Sequence, residues 1–289
     1  MIQSMTGFAS TERLYDFGRL TWELLSVNHR YLEIGFRVPE EFRSLEPHIR
    51  RILGEHLSRG KVDASLRFTP SAASASSSLQ LNRILLDRLL ELHAEISTVS
   101  GADEKPDAQS LMRWSGVIEE QAPDPQPLHE AALELLTEAA VGLQSSRGRE
   151  GEQMDTVIRD RLNSIESHVS QVRVWLPEIR EGLREKLLAR VADLKQPLEP
   201  GRLEQEVAFL AQKIDVDEEL DRLDAHVHET RRVLERDDPV GRRLDFLMQE
   251  FNRESNTLSS KSVDNRTTQV AVELKVAIEQ MREQVQNIE

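Results

Sequence analysis

The chain has 289 residues, 38% of them apolar, so it is long enough for one large domain or two ordinary domains with filled cores. Its 51 acidic and 37 basic side chains give a formal charge of -14, which argues against a simple basic nucleic-acid coat. The absence of cysteine excludes a disulfide framework, a zinc ribbon and a thiol nucleophile. There is no signal-like start and no long apolar run, so we expect a cytoplasmic protein without a membrane span.

The first part of the chain alternates between strand-like and helix-like patterns. Short runs rich in aromatic and branched residues predict strands over 20–27, 31–38 and 61–68. Between the last two, apolar residues at helical spacing predict a helix that starts after Pro39 and ends at Gly60. The sheet is therefore expected to carry a helix.

The rest of the chain is predicted to be helical. Apolar residues in steps of three and four indicate an amphipathic helix over 81–99, a second over 130–144 and, after a break at 147–151, a long arm that reaches residue 193 and is kinked at Pro177. The remaining predicted helices lie at 203–214, 217–235, 240–258 and from 267 onwards. The connections between elements are predicted at 69–78, 122–127 and 196–201.

These elements predict an α+β protein. We expect an N-terminal domain of mixed sheet and helix over 1–150, a helical arm over 151–202 and an all-helical domain with the candidate site over 203–289. The last helix has an apolar seam from Leu274 to Ile288 that requires a partner helix, within the chain or from another subunit. The seam and the arm are therefore candidate surfaces for self-association.

Acidic and imidazole side chains are concentrated in residues 215–229. On a helix, their spacing places Glu219, Arg222 and His226 on one stripe beside the buried face. Such a stripe can offer oxygen and nitrogen ligands together. A solvated acidic helix face has the same pattern, and that alternative stays open.

The next predicted helix has a second set of carboxylates. Glu250 and Glu254 share one flank, whereas Phe246, Arg253 and Asn256 lie along the other. The density of poor helix formers near its end also fits a frayed terminus. Because hard divalent cations take carboxylate oxygens from separate elements, and cysteine is absent, the pattern favours Mg²⁺ or Mn²⁺ over zinc.

Other site types are excluded by their missing motifs: the sequence has no phosphate-binding loop, dinucleotide fingerprint, nucleophile elbow, HExxH or EF-hand. A further acidic pair on the last helix, Glu273 and Glu279, has the pattern of ordinary salt-bridged surface. Basic groups that can meet phosphates cluster near glycines, although helix caps give the same pattern. They include Arg59 and Lys61 around Gly60, Arg147 and Arg149 around Gly148, and Arg242 and Arg243 after Gly241.

Several separated motifs resemble one known family. They are Ser4-Met5-Thr6-Gly7-Phe8-Ala9, the stretch from Ser26 to Glu33, Arg37-Val38-Pro39, Arg59-Gly60-Lys61-Val62, the segment from Asp245 to Lys261, and that from Arg282 to Asn287. In this order, over nearly the whole chain, they resemble the YicC/YloC family of bacterial endoribonucleases.

The resemblance implies a metal-dependent ribonuclease that forms a homohexamer and cuts single-stranded or structured RNA, including small regulatory RNA. It further implies functional positions in an N-terminal motif, at Asn28 and Arg30, and in a C-terminal one. The latter comprises Glu219, Arg222, His226, Glu250, Asn252, Arg253, Glu254, Asn256 and Lys261.

The chemistry of RNA cleavage assigns provisional roles to these residues. We expect Glu219, Glu250 and Glu254 to bind the ion, with His226 as a ligand or as the acid/base group. His226, Glu250 and Glu254 are the predicted catalytic residues. The predicted RNA contacts are Asn28, Arg30, Arg59, Lys61, Arg222, Arg242, Arg253, Asn256 and Lys261.

Two alternatives remain open from the sequence. One is a mechanism in which His226 activates the ribose 2′-hydroxyl and produces a cyclic phosphate without metal chemistry. The other is a different class of protein, a non-catalytic oligomeric RNA-binding or adaptor protein whose carboxylates are ordinary surface.

Overall fold

The computed structural model describes residues 2–71, 79–101, 106–120, 125–192, 201–236 and 238–289. Most of the predicted connections at 69–78, 122–127 and 196–201 lie outside these ranges. Within them the chain forms two compact units that are interleaved along the sequence. Residues 8–26 and 31–144 form the sheet unit, and residues 1–7, 27–30 and 145–289 form the helical unit. The predicted α+β class is confirmed.

The sheet unit is built on four strands, β1 Gly7–Tyr15, β2 Gly18–Val27, β3 Leu32–Arg37 and β4 Gly60–Pro70. They form one sheet of order β1-β2-β4-β3. Strands β3 and β4 run parallel, with Leu32 opposite Gly60 and Arg37 opposite Ser65. The three predicted strands are confirmed as β2, β3 and β4, whereas β1 was not predicted.

Alternation along the strands gives the sheet one buried face. In β2 the inward side chains Leu20, Trp22 and Leu24 are fully buried, and the residues between them are more accessible. The predicted helix after Pro39 forms as a 3₁₀ turn, Glu40–Leu45, followed by α1, Glu46–His56. It ends before Gly60, which opens β4 with φ +110° instead of capping the helix.

A small subregion follows in the same unit. Strands β5 (Leu79–Leu81) and β6 (Ile118–Glu120) pair antiparallel, and helices α2 (Arg83–Ser100) and α3 (Ala108–Arg113) lie between them in sequence. Helix α2 confirms the predicted helix over 81–99. It buries none of its side chains and exposes Ile84 and Val99 almost completely.

A single long helix, α4 (Pro125–Ala192), replaces the two predicted helices at 130–144 and 151–193. The expected break at 147–151 was wrong: two isolated glycines lower the helix propensity, but packing along both sides of this point outweighs that cost. Pro177 lies inside the helix. The predicted boundary between domains at residue 150 falls within α4, six residues after the sheet unit ends at Gln144.

The helical unit contains the part of α4 beyond residue 144 and four further helices. They are α5 Arg202–Lys213, α6 Asp217–Leu234, α7 Gly241–Lys261 and α8 Asn265–Val285, all close to their predicted bounds. On the last of these helices, the seam from Leu274 to Ile288 was predicted as a candidate surface for self-association. Its partners lie within the chain, the other alternative that the sequence left open, because Leu274, Ile278 and Ile288 are buried in the core of this same unit; the assignment to self-association was wrong.

The apolar face of the predicted arm is also largely buried within the chain. Most of its apolar side chains from Met154 to Ile179 are buried, whereas Val174 is 75% exposed and Leu188, near the end of the helix, is 41% exposed. None of the helices in the described ranges combines the length and apolar composition that a membrane crossing requires.

Candidate metal and RNA site

Helix α6 presents the first part of the site. Leu220, Leu223 and Val227 point into the core at helical spacing, which fixes the rotation of the helix. Asp217, Glu218 and Glu219 occupy its first turn, where carboxylates interact favourably with the helix dipole. This rotation leaves His226 half-buried at the edge of the core, where its ring packs edge-on against Phe251 with centroids 5.6 Å apart.

Helix α7 presents the second part. Leu244, Leu247 and Phe251 are buried, and the carboxylates of Glu250 and Glu254 lie next to this face. The Glu254 side chain is only 3% exposed, and that of Glu250 is 26% exposed. The helix continues to Lys261, so the alternative interpretation, a frayed helix end before Ser259, was wrong. Serine and threonine hydroxyls along this stretch bond to preceding carbonyls, as Thr257 does to the Arg253 oxygen at 3.1 Å.

The two helices bring His226, Glu250 and Glu254 together. Each offers one ligand atom, and these atoms all lie within 4.8 Å of one another. In the part of the chain that the structure describes, this is the one group of three or more such side chains close enough to hold an ion. The predicted acidic pair Glu273 and Glu279 is exposed on α8 and is not part of it.

Burial and charge define the state of the imidazole. Desolvation lowers the pKa of His226, and Arg222 lowers it further, whereas Glu250 and Glu254 act in the opposite direction. The ring is therefore held neutral at physiological pH. Its Nε2 atom is buried without a hydrogen-bond partner among the described residues. A neutral imidazole has a lone pair on one ring nitrogen, so this ring beside two carboxylates suits a cation, because each of the three groups is an electron-pair donor.

Arg222 bridges two carboxylates next to this group. Its guanidinium donates to Glu254 at 3.3 Å and pairs with Glu218 one turn earlier on the same helix. The arginine was predicted to contact RNA. In the structure its partners are acidic, and it neutralises part of the charge that Glu254 carries beside Glu250.

Glu219 lies in a different contact from the other predicted ligands. Its Oε1 accepts a hydrogen bond from Lys261 Nζ at 2.8 Å, and the same ammonium donates to the Asp215 carbonyl at 2.8 Å. Glu219 is buried, and its Oε2 has no hydrogen-bond partner among the described residues. The pair joins the start of α6 to the end of α7, and so it fixes the two helices that carry the group of three.

The predicted RNA contacts divide between the two units. In the helical unit Arg242, Arg253 and Asn256 are exposed on α7, while Asn28 donates to the Gln286 carbonyl at 2.6 Å. Arg30 is also exposed in this unit. In the sheet unit Arg59 is half-buried, and Lys61 pairs with Glu33 at 3.0 Å.

The burial of the Arg147 side chain could not be predicted from the sequence. The basic cluster around Gly148 was a candidate for contacts with phosphates, but the Arg147 side chain is fully buried. Its guanidinium donates to the Ser4 carbonyl and to Glu289 Oε2, the latter at 2.6 Å. The interaction partners lie more than a hundred residues away in the sequence, so no local pattern indicated them.

The structure thus defines an α+β protein in which paired helices bring one imidazole and two carboxylates together at the edge of a helical core. Family profiles described as endoribonuclease YicC-like, N-terminal region and C-terminal, match residues 2–156 and 172–289. The chain is 45% identical over 289 residues to "Probable endoribonuclease YicC" of Haemophilus influenzae and 30% identical over 294 residues to the protein of that name from Clostridioides difficile, with 100% of each chain covered. It belongs to the YicC-like endoribonuclease family.

Proposed function

We propose that this protein is an endoribonuclease that hydrolyses phosphodiester bonds in RNA with the help of a divalent cation held by His226, Glu250 and Glu254. The observation that carries the proposal is the convergence of three donor groups, one of them a buried nitrogen without a hydrogen-bond partner among the described residues. The names of the relatives support the activity, and the geometry supports its location in the helical unit.

The donor set fits Mn²⁺ or Mg²⁺. Two carboxylates and one imidazole, without cysteine, suit hard or borderline divalent ions. Such an ion stabilises negative charge on phosphate oxygens and supplies a more acidic water. Glu219 is left out of our ligand set, because its ligand atoms do not converge with those of the trio and its Oε1 accepts a hydrogen bond from Lys261.

The side chains around the trio have distinct roles in the proposed reaction. His226 stays neutral and keeps a lone pair available, because burial disfavours its protonated form. Arg222 holds Glu254 in place through the bond to its Oε1. Arg253, 68% exposed and 3.8 Å from Glu250, is positioned to contact a phosphate of RNA beside the trio.

The finer features of the proposal extend the family resemblance. We expect substrates that include small regulatory RNA, a homohexamer in the cytoplasm, and RNA held by basic residues gathered from several subunits, because a chain of net charge -14 repels RNA at long range. The exposed apolar side chains of α2, with Ile84 87% and Val99 90% accessible, support self-association.

The test is cleavage of a labelled structured RNA by purified protein with Mn²⁺ and with EDTA. The E250Q/E254Q variant should fall below about one hundredth of the wild-type rate, since several kcal/mol of charge stabilisation are lost. The matched control E273Q/E279Q removes the same charge from an exposed pair on α8 and should cut at the wild-type rate. Full activity of E250Q/E254Q would refute the site.

The product ends separate the two mechanisms. A 5′-phosphate on the downstream product supports attack by water, whereas a 2′,3′-cyclic phosphate formed in EDTA supports activation of the 2′-hydroxyl by His226. Binding of RNA without cleavage under every metal condition would refute the nuclease proposal and favour a non-catalytic RNA-binding or adaptor protein.

A further inference from the structure

The solvent-facing side of α7 has an organised row of side chains next to the trio. Arg242, Phe246, Gln249, Arg253 and Asn256 follow one another in alternating steps of four and three, which places them on one face of the helix. All five are exposed. Buried residues of α7 lie on the opposite side, and Glu250 and Glu254 lie between the two faces.

Phe246 is the unusual member of this row. It is 58% exposed on a polar helix face, although only 4% of the residues in the chain are aromatic. The core does not require it, because Leu244, Leu247 and Phe251 already fill the buried side of the same helix. An aromatic ring between polar and cationic neighbours has the form of a stacking surface for an unpaired base.

The charges on either side of Phe246 favour a polyanion. Within the described residues, Arg242 makes no ion pair with a carboxylate, and the nearest acidic partner of Arg253 is Glu250 at 3.8 Å. Two guanidinium groups are thus available about one to two helical turns from the ring on either side. The neighbouring Asp245 is half-buried and accepts a hydrogen bond from Gln249 at 3.0 Å, which orders the amide in this row.

The register relates the ring to the proposed chemistry. Phe246 precedes Glu250 by four residues, a rise of about 6 Å along the helix axis. A stacked base at Phe246 therefore lies within about one nucleotide of a phosphate at the trio, and Arg253 lies on the far side of that phosphate. A base can reach the ring only if it has left the helical stack of a duplex.

We propose that Phe246 binds an unpaired base of the RNA substrate next to the scissile phosphate, with Arg242 and Arg253 contacting the flanking backbone. The inference rests on the proposed function and specifies its substrate: the strand must be single-stranded at the cut. Cleavage then occurs in loops, bulges and single-stranded segments, at a fixed distance from the stacked base.

The experiment uses the full chain in EDTA, so that binding is observed without cleavage. The probe is a short single-stranded RNA with the fluorescent base 2-aminopurine placed at successive positions, because stacking on an aromatic ring quenches its emission. The wild type should quench at one position, and Phe246→Ala should abolish that quenching and weaken binding about tenfold. Phe246→Trp should retain both.

The control is Phe209→Ala, which removes an equally accessible phenylalanine, 63% exposed, from helix α5; it should bind and quench like the wild type. Unchanged quenching in Phe246→Ala, or no quenched position in the wild type, would overturn the inference. So would a changed oligomeric state of Phe246→Ala, since the ring would then contact another subunit. Quenching that depends on Phe246, without cleavage in Mn²⁺, would instead refute the nuclease proposal alone.

Discussion

Two glycines in α4 should respond in opposite ways to the same substitution. A Cβ at Gly148 meets no other atom within 4 Å, so Gly148→Ala should stabilise the protein by about 0.5–1 kcal/mol through its higher helix propensity. A Cβ at Gly151 would collide with the Ile2 carbonyl oxygen and stand 2.8 Å from its carbonyl carbon. Because both are backbone atoms, the clash can be relieved only by moving the chain.

That movement carries an energetic cost. Residues 2–5 are held by backbone bonds from Ser4 to the Arg147 carbonyl at 3.1 Å and from Met5 to the Asn287 carbonyl at 2.7 Å. Forced overpacking costs about 1–3 kcal/mol, so Gly151→Ala should lose about 1–2 kcal/mol after the helical gain is subtracted.

Urea unfolding measures the net change in the free energy of unfolding. Hydrogen exchange with mass spectrometry shows which amides are affected. In Gly151→Ala the amides of residues 4 and 5 should exchange faster than in the wild type, whereas Gly148→Ala should leave them unchanged. If Gly151→Ala matches or exceeds the wild type in stability, the close approach of the Ile2 backbone to the helix is refuted.

Four further predictions concern polar side chains at His226, Arg222, Arg147 and Trp22. Burial lowers the pKa of His226, so the metal-free protein should lose stability as the pH falls through the ordinary histidine value of about 6.5, and His226→Gln should lack that loss in urea titrations. Arg222→Ala should raise the pKa of His226 measured by NMR, since this guanidinium disfavours the imidazolium; an unchanged value would contradict the assignment. Arg147→Met should cost about 3–5 kcal/mol because Glu289 stays buried without its partner, and Arg147→Met with Glu289→Leu should regain most of it by the same unfolding assay. Trp22→Phe should cost about 1–3 kcal/mol, because the Ala132 carbonyl loses a 2.8 Å hydrogen bond inside the sheet unit; no loss would show that water replaces it.

Local patterns of apolar residues predicted most helices and strands, because an element that buries one face repeats its apolar residues with its own period. Strand β2 and helix α7 each show the alternation or the three-to-four spacing of their buried faces, and both form where expected. The continuity of α4 could not be predicted in this way. Gly148 and Gly151 resemble a helix end in sequence, but Arg147 between the two halves is fixed by Ser4 and Glu289, partners that a local window does not include.

The same limit applies to the site. Helical spacing predicted that Glu250 and Glu254 share a flank and that Glu219, Arg222 and His226 share another. It could not predict which members of the two flanks meet, because that depends on how α6 and α7 are aligned. The Glu219 bond to Lys261 sets this alignment near one end, and Arg222 then meets Glu254.

The interleaving of the two units has a consequence for biosynthesis. Residues 2–7 and 27–30 are made first but belong with residues 145–289, and Met5 bonds to Asn287. Such pairings across almost the entire chain form late and slow the search for the native state. A nascent chain thus carries an unfinished helical unit until residue 287 has been synthesised, which delays the closure of that core.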